Sequence, residues 1–263
     1  MDRALKTAAS GMYAQQLNVD AIANNLANVN TTGFKSTRVE FQDLMYETLR
    51  ATGTPDQTGG TPPAELQVGD GTVPSSTTRN FTQGSVTQTQ NPLDFGIQGD
   101  GFFKVRMPDG TEAYTRDGSF KISGEGNIVT SNGNIVEPGF TIPQDTTAIQ
   151  VSADGTIQAT VSGQTNPVTL GQFQFAKFVN PAGLHAVGGD IYQETVASGT
   201  PILGNPGSTG FGTVQQGYLE SSNVSVVSEM VNMIAAERSY ELNSKAIQTV
   251  DTMMQLANNI KGQ

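Results

Sequence analysis

The 263-residue chain has no cysteine and no tryptophan. Without a thiol there is no disulfide framework, no thiolate metal site and no cysteine nucleophile, a composition compatible with export. Histidine occurs once, at His185 in Pro181-Ala182-Gly183-Leu184-His185. A Ser/His/Asp triad would have to use it, yet no Gly-x-Ser-x-Gly turn is present to raise a serine, so His185 reads as a surface-loop residue. Long apolar runs are also missing. Nothing approaches the roughly 18 residues of a membrane span, and the first thirty residues lack a signal-peptide apolar core, so membrane insertion is not expected, and if the chain leaves the cytoplasm it does so without a conventional cleaved signal. Proline and glycine are scarce at both ends: all twelve prolines fall between Pro55 and Pro206, and of thirty glycines only Gly11, Gly33 and Gly262 lie outside residues 46–261. Because both residues oppose helix interiors, the ends can be long helices and the middle cannot.

What the ends contain is a seven-residue apolar repeat. Near the N-terminus Leu5, Met12, Val19 and Leu26 recur, with Ala8, Gln15, Ile22 and Val29 three places on; near the C-terminus Met233, Tyr240, Ile247 and Met254 recur, with Ala236, Asn243, Val250 and Ala257. This is the pattern of a coiled-coil seam split between the ends of one chain. Gln15 and Asn243 interrupt it, either as tolerated polar residues at a partly wet position or as amides that set register. Burying the four leading apolar residues of one helix is worth about 6–12 kcal/mol. Association costs on the order of 4–15 kcal/mol, so a single contact is marginal and an array with several neighbours is not.

Charge follows the same partition. Residues 1–45 carry four basic and four acidic side chains and residues 222–263 three and four, while the remainder carries seven and sixteen of the total net charge of −10. Near-neutral ends can pack against copies of themselves, and an acidic middle argues against nucleic-acid binding.

The expected architecture is α+β, with long N- and C-terminal helices packing as a coiled coil and an all-β middle inserted between them. A first helix runs from Asp2 to about Asn30 with Gly33 at its left-handed C′ position, and residues 1–33 form the N-terminal part of an inner core domain. Residues 34–71 form an extended segment, in which 34–49 is a short helix or an arm and Ala51–Glu65 an exposed linker. Residues 72–221 form a β-rich outer domain of short strands and Asp-Gly or Asn-Gly turns, with Leu170–Val179 as its longest strand and Phe178 breaking its alternation. Residues 222–263 form the last helix, starting near Ser225 or Ser228.

Candidate chemistry is thin. Gly96-Ile97-Gln98-Gly99-Asp100-Gly101 precedes a strand, where a phosphate loop needs a helix N-terminus. Asp109-Gly110, Asp117-Gly118 and Asp154-Gly155 lack the alternating ligand run of a calcium loop and read as hairpin turns. Asp94 with Asp100, or Asp109 with Asp117, are carboxylate pairs without an aromatic sugar platform. No catalytic, metal or cofactor-binding residue is assigned, and no cofactor is expected.

Asn24-Asn25-Leu26-Ala27-Asn28-Val29-Asn30-Thr31-Thr32-Gly33-Phe34-Lys35 resembles the N-terminal signature of the bacterial flagellar axial proteins of rod and hook. Gln216-Gly217-Tyr218-Leu219-Glu220-Ser221-Ser222-Asn223-Val224, followed by Glu229-Met230-Val231-Asn232-Met233-Ile234, is similar to their C-terminal signature, and Gly99 to Phe120 resembles their shared β domain. The segment from about Tyr46 to Gly71 matches the distal-rod class most closely. The resemblance implies a non-enzymatic structural subunit of the basal-body distal rod, polymerised as a torque-transmitting helical tube around an export channel. Its implied partners are further copies of itself, other rod subunits and hook-side axial proteins, the surrounding basal-body rings and the flagellar export apparatus. It implies a place in the basal body spanning the periplasm. The candidate assembly surface joins the seam residues Leu5, Ala8, Met12, Gln15, Val19, Ile22, Leu26, Val29, Met233, Tyr240, Asn243, Ile247, Val250 and Met254 to Asn25, Asn28, Met230 and Ile234 of the signatures. Another rod or hook subunit of the same family is the first alternative, followed by a secreted β-rich enzyme or adhesin oligomerised by its terminal helices and a tube subunit of a phage-like device.

Overall fold

The computed structural model describes residues 2–50, 64–164 and 166–261. Residues 51–63 of the expected linker lie outside the described residues. The chain is α+β: helix α1, Asp2–Ala27, and helix α2, Val226–Lys261, flank a β-rich middle. Their 26 and 36 residues correspond to about 39 and 54 Å at ~1.5 Å per residue. No helix among the described residues is long and apolar enough to cross a membrane.

α1 ends three residues before the expected Asn30. Thr31 donates its backbone N–H to the Asn28 carbonyl and its hydroxyl to Asn28 Oδ1, both at 3.2 Å, and such local polar bonds compete with helix continuation. Gly33 does adopt a left-handed φ of 73°, but six residues beyond α1 and for a different reason. A Cβ there would meet the Asp117 backbone nitrogen at 2.8 Å, so Gly33 permits a close approach rather than capping the helix.

Two compact units interleave along the chain: residues 1–26, 37–78 and 225–263 form one, and residues 27–36 and 79–224 the other. In the first unit, the stretch expected as either a helix or an arm is extended. β1 (Thr37–Asp43) pairs with β4 (Thr72–Arg79), and β2 (Tyr46–Arg50) pairs antiparallel with β3 (Leu66–Gly69). α1 is bound to this arm by polar contacts. Asn25 Nδ2 donates to the Thr37 carbonyl at 2.9 Å while Thr37 N–H donates to Asn25 Oδ1 at 2.8 Å, Thr72 N–H donates to Ser10 Oγ at 3.3 Å, and Arg3 pairs with Glu47. α1 also meets α2: a Cβ on Gly11 would lie 2.9 Å from Asn243 Nδ2, and Gln16 and Val19 share a groove of about 410 Å³ with Glu237, Tyr240 and Glu241. Numbers rise along one helix as they fall along the other, so the two run antiparallel.

The second unit is built around the strand Phe102–Arg106. Its hairpin partner Glu112–Thr115 lies on one side, and Phe175–Lys177 and Ile135–Val136 share the other, in register Phe175↔Phe103 and Val136↔Val105. Alternation along a strand sends neighbours to opposite faces. Phe103 and Val105 therefore enter a large core with Phe95, Phe120, Phe173 and Phe175, whereas Phe102 enters a smaller one with Tyr114, Phe178 and Tyr192. The expected single strand Leu170–Val179 is instead two strands, Val168–Gln172 and Phe175–Lys177, in different sheets. Phe173, between them, donates its N–H to the Gly155 carbonyl at 2.9 Å and packs its ring on Phe95, Phe103 and Phe140 at 5.3–5.6 Å. The break thus lies before Phe175, not at Phe178, whose ring simply belongs to the second core.

The Asp-Gly sites share one design. Asp109, Asp117 and Asp154 each accept the backbone N–H and the hydroxyl of the Thr or Ser two residues on, the Asx-turn geometry that reverses a chain. His185 is exposed, in the strand His185–Gly188.

Phe173→Ala is expected to cost about 3–5 kcal/mol, the usual penalty for emptying an aromatic core site, measured by urea unfolding followed through the β unit's tyrosines.

Candidate assembly site and the latch between the signatures

The two terminal signatures meet inside the second unit. Lys35, Glu220 and Arg116 are all buried, at 0, 1 and 4 % exposure. Lys35 Nζ lies 2.6 Å from Glu220 Oε1 and donates also to the Thr82 carbonyl at 2.8 Å. Arg116 lies 3.2 Å from Glu220 Oε2 through one terminal nitrogen and donates to the Gly99 carbonyl at 3.0 Å through the other. Gly84 N–H donates to Glu220 Oε1 at 2.9 Å, so the carboxylate is fully engaged. The guanidinium also lies over the Phe102 ring, 5.3 Å from its centroid.

Around this charge cluster the backbone is stitched. Gly33 N–H donates to the Glu220 carbonyl, Ser36 N–H to Asn223 Oδ1, and Asn80 N–H to the Ser36 carbonyl, at 2.8–2.9 Å, while Asn223 Nδ2 donates to the Asn80 carbonyl at 2.8 Å. Residues 33–36, 80–84 and 220–223 are therefore one knot. Gly84 is required in it, since a Cβ there would fall 2.0 Å from the Ser221 carbonyl oxygen.

Two buried cations share one carboxylate. Burial pulls the Lys35 ammonium below its ordinary value, against the opposing pull of Glu220, and burial likewise lowers Arg116. Removing the shared anion strands both cations. Glu220→Gln is expected to destabilise the β unit by about 3–5 kcal/mol, the cost of breaking a buried pair from one side. Adding Lys35→Met should recover part of that loss, read as a double-mutant cycle in urea.

Asp190, half-buried and with a left-handed φ of 57°, has its carboxyl pushed up to about 6 by burial and then by the nearby Asp117 charge, with Arg79 opposing. A carboxyl whose folded pKa exceeds its unfolded value near 3.9 favours folding below that value and loses the contribution as pH rises toward about 6. Asp190→Asn keeps the left-handed preference. It should raise Tm at about pH 8 and leave it unchanged near pH 4, as followed by thermal melts at both.

The expected assembly residues fall into three groups. On α2, Met233, Asn243, Ile247, Val250 and Met254 are half-buried and Ala236 is buried, while Tyr240 is 43 % exposed. On α1, Ile22 is buried and Leu5, Ala8, Met12, Gln15, Val19 and Leu26 are half-buried, as is Val29 just beyond the helix. Met230 and Ile234, each 52 % exposed, lie off this stripe. Asn25 and Asn28 are engaged within their own chain, by Thr37 and Thr31 respectively, so both amides already serve the subunit's own fold. The sequence reading passed over the latch, although its signal was present: Glu220 is the only charge between Glu194 and Glu229, and Lys35 ends an uncharged run beginning after Asp20.

Two terminal helices around a β unit whose entry and exit are locked together define a class of axial structural subunit. Residues 5–35 match the model described as flagella basal body rod protein, residues 96–159 that of the flagellar hook protein FlgE/F/G D1 domain, and residues 215–260 that of the flagellar basal body rod FlgEFG protein C-terminal. Lys35, Arg116 and Glu220 each come from a different one of these stretches. The chain is 51 % identical over 265 residues to the flagellar basal-body rod protein FlgG of Borreliella burgdorferi, covering all of both chains. It is 48 % identical to that of Caulobacter vibrioides, over 98 % of this chain and 99 % of the relative, and 36 % to that of Bacillus subtilis, over 99 % and 100 %. The chain belongs to the flagellar basal-body rod protein family.

Proposed function

We propose that the chain is a structural subunit of the distal rod, polymerising as a helical tube that carries motor torque to the hook and encloses the export channel. The full-length identity to basal-body rod proteins supports this reading, and one structural observation carries it: α2 keeps large apolar side chains exposed along a 36-residue helix, which a subunit surrounded by copies of itself would cover. The seam residues of α1 and α2 pack as an antiparallel coiled coil, and the segment from about Tyr46 to Gly71 stiffens the shaft. The latch serves this mechanics. Chain crossings follow residues 26, 36, 78 and 224, and the knot ties residues beside the last three of them, so load entering the β unit is not spent on peeling strands apart. Other rod and hook-side axial subunits, the surrounding rings and the export apparatus are the further partners, in the periplasm-spanning basal body. The role is mechanical and not catalytic.

Negative-stain imaging of concentrated protein tests this directly. Straight tubes are expected from the full chain and none from a variant lacking residues 1–30, whose β unit should still unfold cooperatively. Tubes formed equally well without α1, or a full chain that stays monomeric at every concentration, would refute the reading.

A further inference from the structure

α2 carries two matching exposed apolar stripes. Near its start Val227, Met230, Val231 and Ile234 are 73, 52, 61 and 52 % exposed; near its end Met253, Leu256 and Ile260 are 54, 62 and 78 % exposed, joined by Ala257, the last residue of the seam pattern, which is also exposed. Both stripes have the spacing i, i+3, i+4, i+7 of one helix face, and they repeat at an offset of 26 residues, about 39 Å along the axis. Charge is distributed to match. Residues 225–236 carry only Glu229 and residues 252–260 carry no charge, while Glu237, Arg238, Glu241, Lys245 and Asp251 lie between.

Among the described residues, α1 does not reach the second stripe. With Gly11 against Asn243 and the helices antiparallel, α1 runs out opposite about residue 252, at one residue of α2 per residue of α1. The last turns of α2 project beyond it.

We infer that the end stripe of one subunit's α2 docks on the start stripe of the next subunit's α2, resting on the polymer reading above. The occupant is a second copy of this chain because the two surfaces match in spacing, length and lack of charge. The contact is heterologous, one end meeting the other, and such contacts propagate as open arrays instead of closing as dimers. Twenty-six residues are seven helical turns plus about 80°, so the stripes face different ways on one helix. Bringing them face to face requires rotation together with translation, which is a screw.

The absence of cysteine makes the test clean. In Met230→Cys/Leu256→Cys the two thiols are separated by about 39 Å of helix, far beyond the ~7 Å Cα limit for an internal disulfide. Oxidation of assembled filaments should give a ladder of dimers, trimers and higher species on non-reducing gels. Each single variant should remain monomeric, and an equimolar mixture of the two singles should stop at dimers. Ile234→Cys/Ile260→Cys reads the same contact one turn further on if the first pair does not assemble. Filaments without a ladder from either pair would assign the stripes to other partners and overturn the inference. Dimers from a single variant would show a symmetric contact and also overturn it. Failure of the unsubstituted chain to form filaments would instead remove the polymer reading, and this inference with it.

Discussion

The Glu220 carboxylate is the constraint on which the structure depends. It is buried with Lys35 on one oxygen and Arg116 on the other, and a charge in that position is tolerable only when its partners are held in place. Holding them fixes three separate chain segments. Residues 80–84 and 220–223 approach so closely that glycine is needed at position 84, and Gly33 makes room for the backbone at Asp117, while Asn223 closes the circuit with bonds to Ser36 and Asn80.

The second organising feature is how α2 divides its surface. One face, through Ala236, Asn243, Ile247 and Val250, is turned from solvent, and Gly11 leaves room there for the Asn243 amide. Away from that face α2 keeps exposed apolar stripes near both ends of the helix, turned about 80° from one another, with Glu237, Arg238, Glu241, Lys245 and Asp251 between them. A helix that served only its own subunit would carry polar residues at those positions. The near-neutral balance of the chain ends has the same sense, since like-charged ends would repel when brought together.

Much of the architecture was legible because it follows from backbone chemistry. Absence of proline and near-absence of glycine predicted where long helices lie, and Asp109-Gly110 and Asp154-Gly155 predicted hairpin turns, whereas Asp117-Gly118 joins strands that do not pair with each other. The misreadings have physical causes too. Leu170–Val179 looks continuous because Phe173, Phe175 and Phe178 are all apolar, but whether a strand continues depends on which sheet offers it hydrogen bonds, and Phe173 is bonded to Gly155. Residues 34–49 mix charge with apolar residues in no clear period, and their extended form depends on β4 and β3, which lie some thirty and twenty residues further on.

Local sequence determined the α-β-α order, the seven-residue stripes, the turn positions and the near-neutral ends, because helix propensity, periodicity and turn chemistry act over a few residues. Only the tertiary structure decided that Lys35, Arg116 and Glu220 meet, that α1 runs out before α2 does, and which face of α2 is left uncovered. Those outcomes depend on groups up to 185 residues apart in the chain, and burial of a charge is decided by the groups around it, not by its neighbours in sequence.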